Sequence, residues 1–165
     1  MRDVVINVGI ADYKLCNPSQ KITTLGLGSC LGVVIYDPTT KICGLAHVML
    51  PDSTRISRNE NRKKFADTCL QDMYDELIKQ SINRQRLVAK LAGGAKMFSH
   101  HSSTNIMNIG AQNYVAVCQK LAKLNVPVIA EDIGGTSSRT IVFDPQTQLL
   151  TIRGVNNREI QEYTI

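Results

Sequence analysis

One thiol in this sequence stands out because of what surrounds it. Cys30 closes the run Thr24-Leu25-Gly26-Leu27-Gly28-Ser29-Cys30, and His47 lies at the far end of the next pair of apolar strands. Glycine has no Cβ, so the backbone here turns sharply and lets a substrate come close. A cysteine attacks a carbonyl carbon as thiolate, and a nearby imidazole takes the thiol proton and stabilises the anion. These residue types in this order are what a cysteine hydrolase needs. The main-chain amides of the turn, around Gly28, Ser29 and Cys30, are candidates for holding the negative oxygen that such an attack creates.

Geometry ranks the thiols. Cys43 and His47 share a strand face, but four residues along a strand span about 13 Å, too far for a hydrogen bond. Cys30 precedes the first strand of the hairpin and His47 ends the second, so antiparallel pairing predicts their contact. Ordinary packing is the competing reading of each residue, and the glycine turn weighs against it for Cys30. The Thr24 hydroxyl either orients His47, contacts substrate or simply ends a strand. His100-His101 suggests a metal only superficially, because adjacent side chains on an extended chain diverge and no further ligand sits at suitable spacing. Gly134-Gly135 lacks the lysine and helix of a phosphate loop and reads as a plain turn.

The elements that must position these groups follow from periodicity. Val4-Val5-Ile6-Asn7-Val8 is a β-branched run and a first strand, and residues 14–21, with Pro18, read as an irregular connection. A turn over residues 26–30 follows. Residues 31–36 and 42–49 are almost continuously apolar around Asp37-Pro38-Thr39-Thr40, which predicts a hairpin buried on both faces with helices on both sides of the sheet. Residues 52–61 form a polar loop. Phe65, Cys69, Leu70, Met73, Tyr74, Leu77 and Ile78 mark one face of a helix over about 62–80. A strand over 87–92 ends at Gly93-Gly94. Asn108 caps a second helix with the stripe Tyr114, Val117, Cys118, Leu121 and Leu124. Strands over 126–133, 140–143 and 149–153 complete a mixed sheet covered by helices.

Composition excludes several classes. A chain of 165 residues fits one domain spanning 1–165 and buries roughly 70% of its unfolded surface without disulfides. Its five cysteines are odd in number and lack Cys-x-x-Cys spacing, so they read as cytosolic thiols rather than a disulfide framework or zinc site. No long apolar segment suggests a leader or a membrane span, and the expectation is a soluble cytoplasmic protein. The formal charge of +5 is moderate and partly local, with Arg55, Arg58, Arg62, Lys63 and Lys64 in one segment and Arg84, Arg86 and Lys90 in another. Such a cluster is either a solvated face or an attraction for an acidic partner. With few aromatics and no tryptophan, nothing points to nucleic acid. No cofactor is called for.

Several motifs occur together in order: Gly26-Leu27-Gly28-Ser29-Cys30, Gly44-Leu45-Ala46-His47-Val48-Met49-Leu50-Pro51, Gly93-Gly94-Ala95-Lys96-Met97-Phe98, Ile109-Gly110-Ala111-Gln112-Asn113, and Asp132-Ile133-Gly134-Gly135 with Arg139. In combination, over most of the chain, they resemble the CheD family of chemoreceptor glutamine deamidases. Gln112 stands where that family usually has arginine, and Ser137-Ser138 replaces a glycine-containing approach to Arg139. The resemblance implies a three-layer α/β/α sandwich with a mixed, mostly antiparallel central sheet and a Cys30, His47 and Thr24 site. It also implies hydrolysis of glutamine side chains, with glutamyl methyl esters as related substrates, on the acidic cytoplasmic bundles of chemotaxis receptors. A CheC-type phosphatase is the implied partner, and Arg55, Arg58, Arg62 and Lys63 are the candidates for receptor contact. The rival readings are a noncatalytic adaptor that docks to receptors or to the phosphatase, and a protease or transglutaminase using the same thiol.

Overall fold

The computed structural model describes residues 2–97 and 108–165. Along the chain the strands are β1 (Val4–Val8), β2 (Asp12–Cys16), β3 (Gln20–Leu27), β4 (Leu31–Tyr36) and β5 (Cys43–Val48). Helix α1 (Ala66–Ile78), strand β6 (Val88–Gly93) and helix α2 (Ile109–Lys123) follow, then β7 (Val128–Ile133), β8 (Arg139–Asp144), β9 (Leu149–Asn156) and β10 (Glu159–Thr164). None of the described helices is long and apolar enough to cross a membrane.

The predicted hairpin is β4–β5. Leu31 faces Val48, Gly32 faces His47 and Tyr36 faces Cys43, and every residue of both strands is buried. Alternate side chains leave on opposite faces, so both faces need apolar cover. The turn is built around Asp37, a fully buried carboxylate. It accepts from the Thr39 amide at 2.9 Å and the Thr40 hydroxyl at 3.0 Å, and Arg86 forks onto it with Nη2 at 2.7 Å. Those donors, the guanidinium first, pull its pKa down to about 2.

Two sheets result. The inner one has the order β2-β5-β4-β6-β7 and is antiparallel except for β6–β7. The outer one has the order β1-β3-β8-β9-β10 and is antiparallel except for β1–β3. Helices α1 and α2 pack together on one face of the inner sheet, around Leu31, Val33, Leu70, Met73, Val117 and Leu121. The opposite face, with Val34, Tyr36 and Leu45, meets Ile22, Ile141, Phe143 and Ile152 of the outer sheet. The α/β/α expectation is therefore corrected: among the described residues the layers run helices, sheet, sheet. Apolar runs report that a strand is covered on both faces but not what covers it. The signal of a second sheet lies elsewhere, in β8, where Arg139, Ile141 and Phe143 are buried and the residues between them only half-buried. That period of two marks a sheet with one face on a core.

Other boundaries differ for local reasons. The stretch 14–21, expected to be irregular, holds the end of β2, a tight turn and the start of β3. Asn17 closes the turn by accepting the Gln20 amide at 3.1 Å, with Pro18 next in the chain, where its fixed φ is favourable. The glycine turn begins later than expected, because β3 continues to Leu27 through a register shift after Thr24. Gly26 takes up that shift with φ +66, a left-handed conformation suited to glycine. Residues 62–64 are a short 3-10 turn ahead of α1. Strand β10, exposed throughout, carries no apolar alternation from which it could have been read. Asn108 caps α2 as expected, accepting the Ala111 amide at 2.9 Å. His100 and His101 lie outside the described residues.

Replacing Asp37 by alanine strands the guanidinium and two turn donors, and it should lower unfolding free energy by about 2 to 3 kcal/mol in urea melts. A loss within experimental error would show that the turn holds without its carboxylate.

Candidate active site

Three consecutive carbonyls anchor the loop between β3 and β4. The Gly28 carbonyl accepts from the Ala95 amide at 2.8 Å, that of Ser29 from Asn113 Nδ2 at 2.9 Å, and that of Cys30 from the Gly94 amide at 2.9 Å. With its carbonyls held by the end of β6 and by α2, the loop has little freedom to reorient its amides. The Cys30 amide points at its own sulfur and favours the thiolate, though burial outweighs it and the thiol pKa is raised.

Cys30 is half-buried and packs against the core between the sheets. His47 faces the same core. Its cross-strand partner is Gly32, where a Cβ would sit 2.6 Å from Ile141 and 2.9 Å from Leu27 of the outer sheet. Only a residue without a side chain fits beside the ring there. Cys30 precedes Gly32 by two positions, which makes it the diagonal neighbour of His47 on that face, a relation that spans about 7 to 8 Å in a regular ladder. The hairpin sets the two residues on one face of the inner sheet, and no hydrogen bond joins them. His47 Nε2 is buried and has no partner among the described residues.

The other ring nitrogen is held firmly. Thr24 Oγ1 lies 2.7 Å from His47 Nδ1 and donates to the Val8 carbonyl, also at 2.7 Å. A hydroxyl has one proton, and the carbonyl can only accept, so Thr24 spends its proton on Val8 and accepts from Nδ1–H. The network thereby assigns the tautomer and leaves Nε2 with a free lone pair. Of the three readings open for Thr24, this hydrogen bond supports the one in which it orients His47. The ring is fully buried, and this burial lowers its pKa to about 4. Both groups are consequently neutral at rest, where a standing thiolate beside an imidazolium was the expectation.

The four basic residues assigned to partner contact are all exposed, yet most have intramolecular partners. Arg62 forks onto Asp72 at 2.8 and 2.9 Å, Lys63 meets Asp12 at 3.0 Å and covers the Tyr13 ring, and Arg55 lies 3.4 Å from Asp52. Arg58 is exposed. Arg55 also borders a groove of about 630 Å³ between the segment after β5 and α2, where Pro51, Gln112, Gln119, Lys120 and Lys123 line it. Arg139 is spent on the fold, binding Asp132 Oδ1 at 2.8 Å and the Gly134 carbonyl. Sequence reasoning assigned no role to Asn113. Its signals were its place at the end of the Ile109-Gly110-Ala111-Gln112-Asn113 motif and a polar residue four positions before Val117, on the face that α2 buries.

Residues 49–154 match the profile of a family described as CheD chemotactic sensory transduction. A probable chemoreceptor glutamine deamidase CheD of Caldanaerobacter subterraneus subsp. tengcongensis is 45% identical over 157 residues, covering 95% of this chain and 97% of its own. The chemoreceptor glutamine deamidase CheD of Bacillus subtilis strain 168 is 48% identical over 157 residues, 94% of this chain and 95% of its own. A solved structure, the hypothetical protein YfiH of Bacillus licheniformis, superposes with a TM-score of 0.49 at 14% identity, over 73% of this chain and 50% of its own.

Thr24→Val keeps the shape but cannot accept from Nδ1–H. Nitrogen chemical shifts of His47 should report the Nδ1–H tautomer in the native protein and a mixture in the variant, with about 1 to 3 kcal/mol of stability lost. Identical ring shifts would refute the assignment. Burial also sets an acid dependence. The unfolded histidine, near 6.5, binds a proton more readily than the folded ring at about 4. The full contribution is present above 6.5 and falls away toward pH 4, by up to about 3 kcal/mol. A His47→Gln variant should lack this decline.

Proposed function

The chain belongs to the CheD family, and we propose from this that it is a chemoreceptor glutamine deamidase, a cytoplasmic cysteine hydrolase of bacterial chemotaxis. Cys30 is its nucleophile, His47 its acid and base, and Thr24 the group that orients the ring. What carries this reading is a buried imidazole nitrogen, without a partner among the described residues, on the same sheet face as a half-buried thiol.

The chemistry follows from two neutral groups. As Cys30 sulfur bonds to the glutamine Cδ, its proton moves to His47 Nε2, so charge builds only while the bond forms. The negative oxygen is taken up by main-chain N–H groups at Gly28, Ser29 and Cys30, a type of contact worth about 10²- to 10³-fold in rate. The imidazolium then protonates the departing nitrogen, ammonia leaves, and a thioester remains. Water gives a proton to Nε2 and adds to the thioester carbon, and the released thiolate recovers that proton as glutamate departs. A glutamyl methyl ester follows the same course with methanol as leaving group.

Receptor cytoplasmic helices are the protein substrate in this reading, and a CheC-type phosphatase is the regulatory partner. The groove beside α2 opens on the segment that follows His47, and its cations Arg55, Lys120 and Lys123 outnumber its carboxylates Asp52 and Asp67, a balance that suits an acidic helix. Arg58, Arg62 and Lys63, exposed and outside the lining of the groove, complete the proposed receptor contact, the last two from within their ion pairs.

With a receptor cytoplasmic fragment as substrate, conversion is followed by the small mass gain that accompanies replacement of NH₂ by OH. Cys30→Ala should reduce it by about 10³-fold or more. In the native protein kcat/KM should fall as the pH drops through about 4, where His47 takes up its proton. Undiminished conversion by Cys30→Ala would exclude the mechanism, and receptor binding without conversion by the native protein would leave an adaptor. The double charge reversal Arg55→Glu with Lys123→Glu should raise KM several-fold at low salt, with kcat unchanged and the effect shrinking as salt is added. An unaltered KM would place the receptor elsewhere.

A further inference from the structure

Asn113 lies on neither strand of the site and is bonded to both sides of it. The residue is fully buried in the second turn of α2. One Nδ2 proton goes to the Ser29 carbonyl at 2.9 Å and the other to the Met49 carbonyl at 3.1 Å. Ser29 immediately precedes Cys30, and Met49 follows His47 by two residues. A single amide thus joins the loop that carries the thiol to the end of the strand that carries the imidazole.

Its orientation is unambiguous. Turned over, the amide would press an acceptor oxygen against two carbonyls that can only accept. The chosen orientation has a cost, because Oδ1 is left buried without a partner among the described residues. Buried polar atoms in that state are uncommon and call for an explanation. Among the described residues only two side-chain atoms are in this condition, Asn113 Oδ1 and His47 Nε2. A leucine or valine at 113 would extend the apolar face of Val117 and Leu121 without that cost. No small substitute reproduces the two donors: aspartate has none when ionised, serine has one, and glutamine sets them one methylene further out.

The helix bearing Asn113 is held closely against the same loop. A Cβ on Gly110 would lie 2.5 Å from the carbonyl oxygens of both Gly94 and Ala95. The amides of those two residues are the ones that hold the Cys30 and Gly28 carbonyls. Helix α2 therefore grips the thiol loop through two routes, and only the Asn113 route also reaches the histidine strand.

We propose that Asn113 is a positioning residue for deamidation, setting the spacing and alignment of Cys30 and His47. This rests on the reading of those two residues as nucleophile and base. Since the pair is not hydrogen-bonded at rest, its productive alignment depends on how the two backbones are held. Misplacement by about 1 Å can cost 10²-fold in rate.

The test uses the full chain and a receptor cytoplasmic fragment. Folded Asn113→Ala should lose about 10- to 100-fold in kcat with KM within about twofold, because its substrate contacts are untouched. The rate of Cys30 alkylation by iodoacetamide should change in parallel. Asn113→Ser, which keeps one donor, should be the milder variant and serves if the alanine protein does not fold. Asp37→Ala, destabilised at the remote hairpin turn, should retain native kcat and alkylation rate, which separates alignment from general loss of stability. Native kcat in a folded Asn113 variant, while Cys30→Ala is inactive, would overturn the positioning role and leave the site reading intact. Full conversion by Cys30→Ala would remove the site reading and this proposal with it.

Discussion

A single threonine hydroxyl joins the two sheets at the point where chemistry is proposed to occur. Thr24 belongs to the outer sheet and His47 to the inner one, and the 2.7 Å bond between them fixes the proton on the ring. That bond has a direction only because the Thr24 proton already goes to the Val8 carbonyl. Three residues from three strands thus decide which nitrogen of a buried ring is bare.

Burial then sets the electrostatic character of the pair. It disfavours charge on both groups, raising the Cys30 thiol and lowering His47 to about 4. A neutral pair is less reactive toward stray electrophiles than a standing thiolate. In the proposed mechanism it becomes ionic only when a substrate carbonyl offers somewhere for the electron pair to go. Such an arrangement asks for accurate placement, and the three anchored carbonyls of residues 28–30 supply it on the thiol side.

The elements that hold the site were legible where periodicity was strong. The β4–β5 hairpin, α1, the Asn108 cap of α2 and the shared face of Cys30 and His47 all follow from spacing and strand alternation. The covering layer did not, since Val34 and Leu45 look the same in sequence whether a helix or a second sheet lies over them. Strand β2 was obscured by an adjoining turn, and β10 is exposed throughout and lacks apolar alternation. Asn113 was passed over for a related reason. Its value lies in two carbonyls remote in sequence, and a buried amide in an apolar stripe announces only that some partner exists. The neutral resting state was equally hidden, because the motif gives residue types while burial, which no motif encodes, decides their charge.

One consequence concerns the first strand. β1 is the edge of the outer sheet, and most of its residues are exposed up to Val8. Should that edge peel away, the hydroxyl of Thr24 would lose its acceptor and turn its hydrogen toward the ring, moving the ring's own hydrogen to the opposite nitrogen. The imidazole would then be capped where the proposed mechanism needs it open. Fraying of this edge strand is in this way written directly into the readiness of the proposed base some forty residues along, with no displacement of the ring itself.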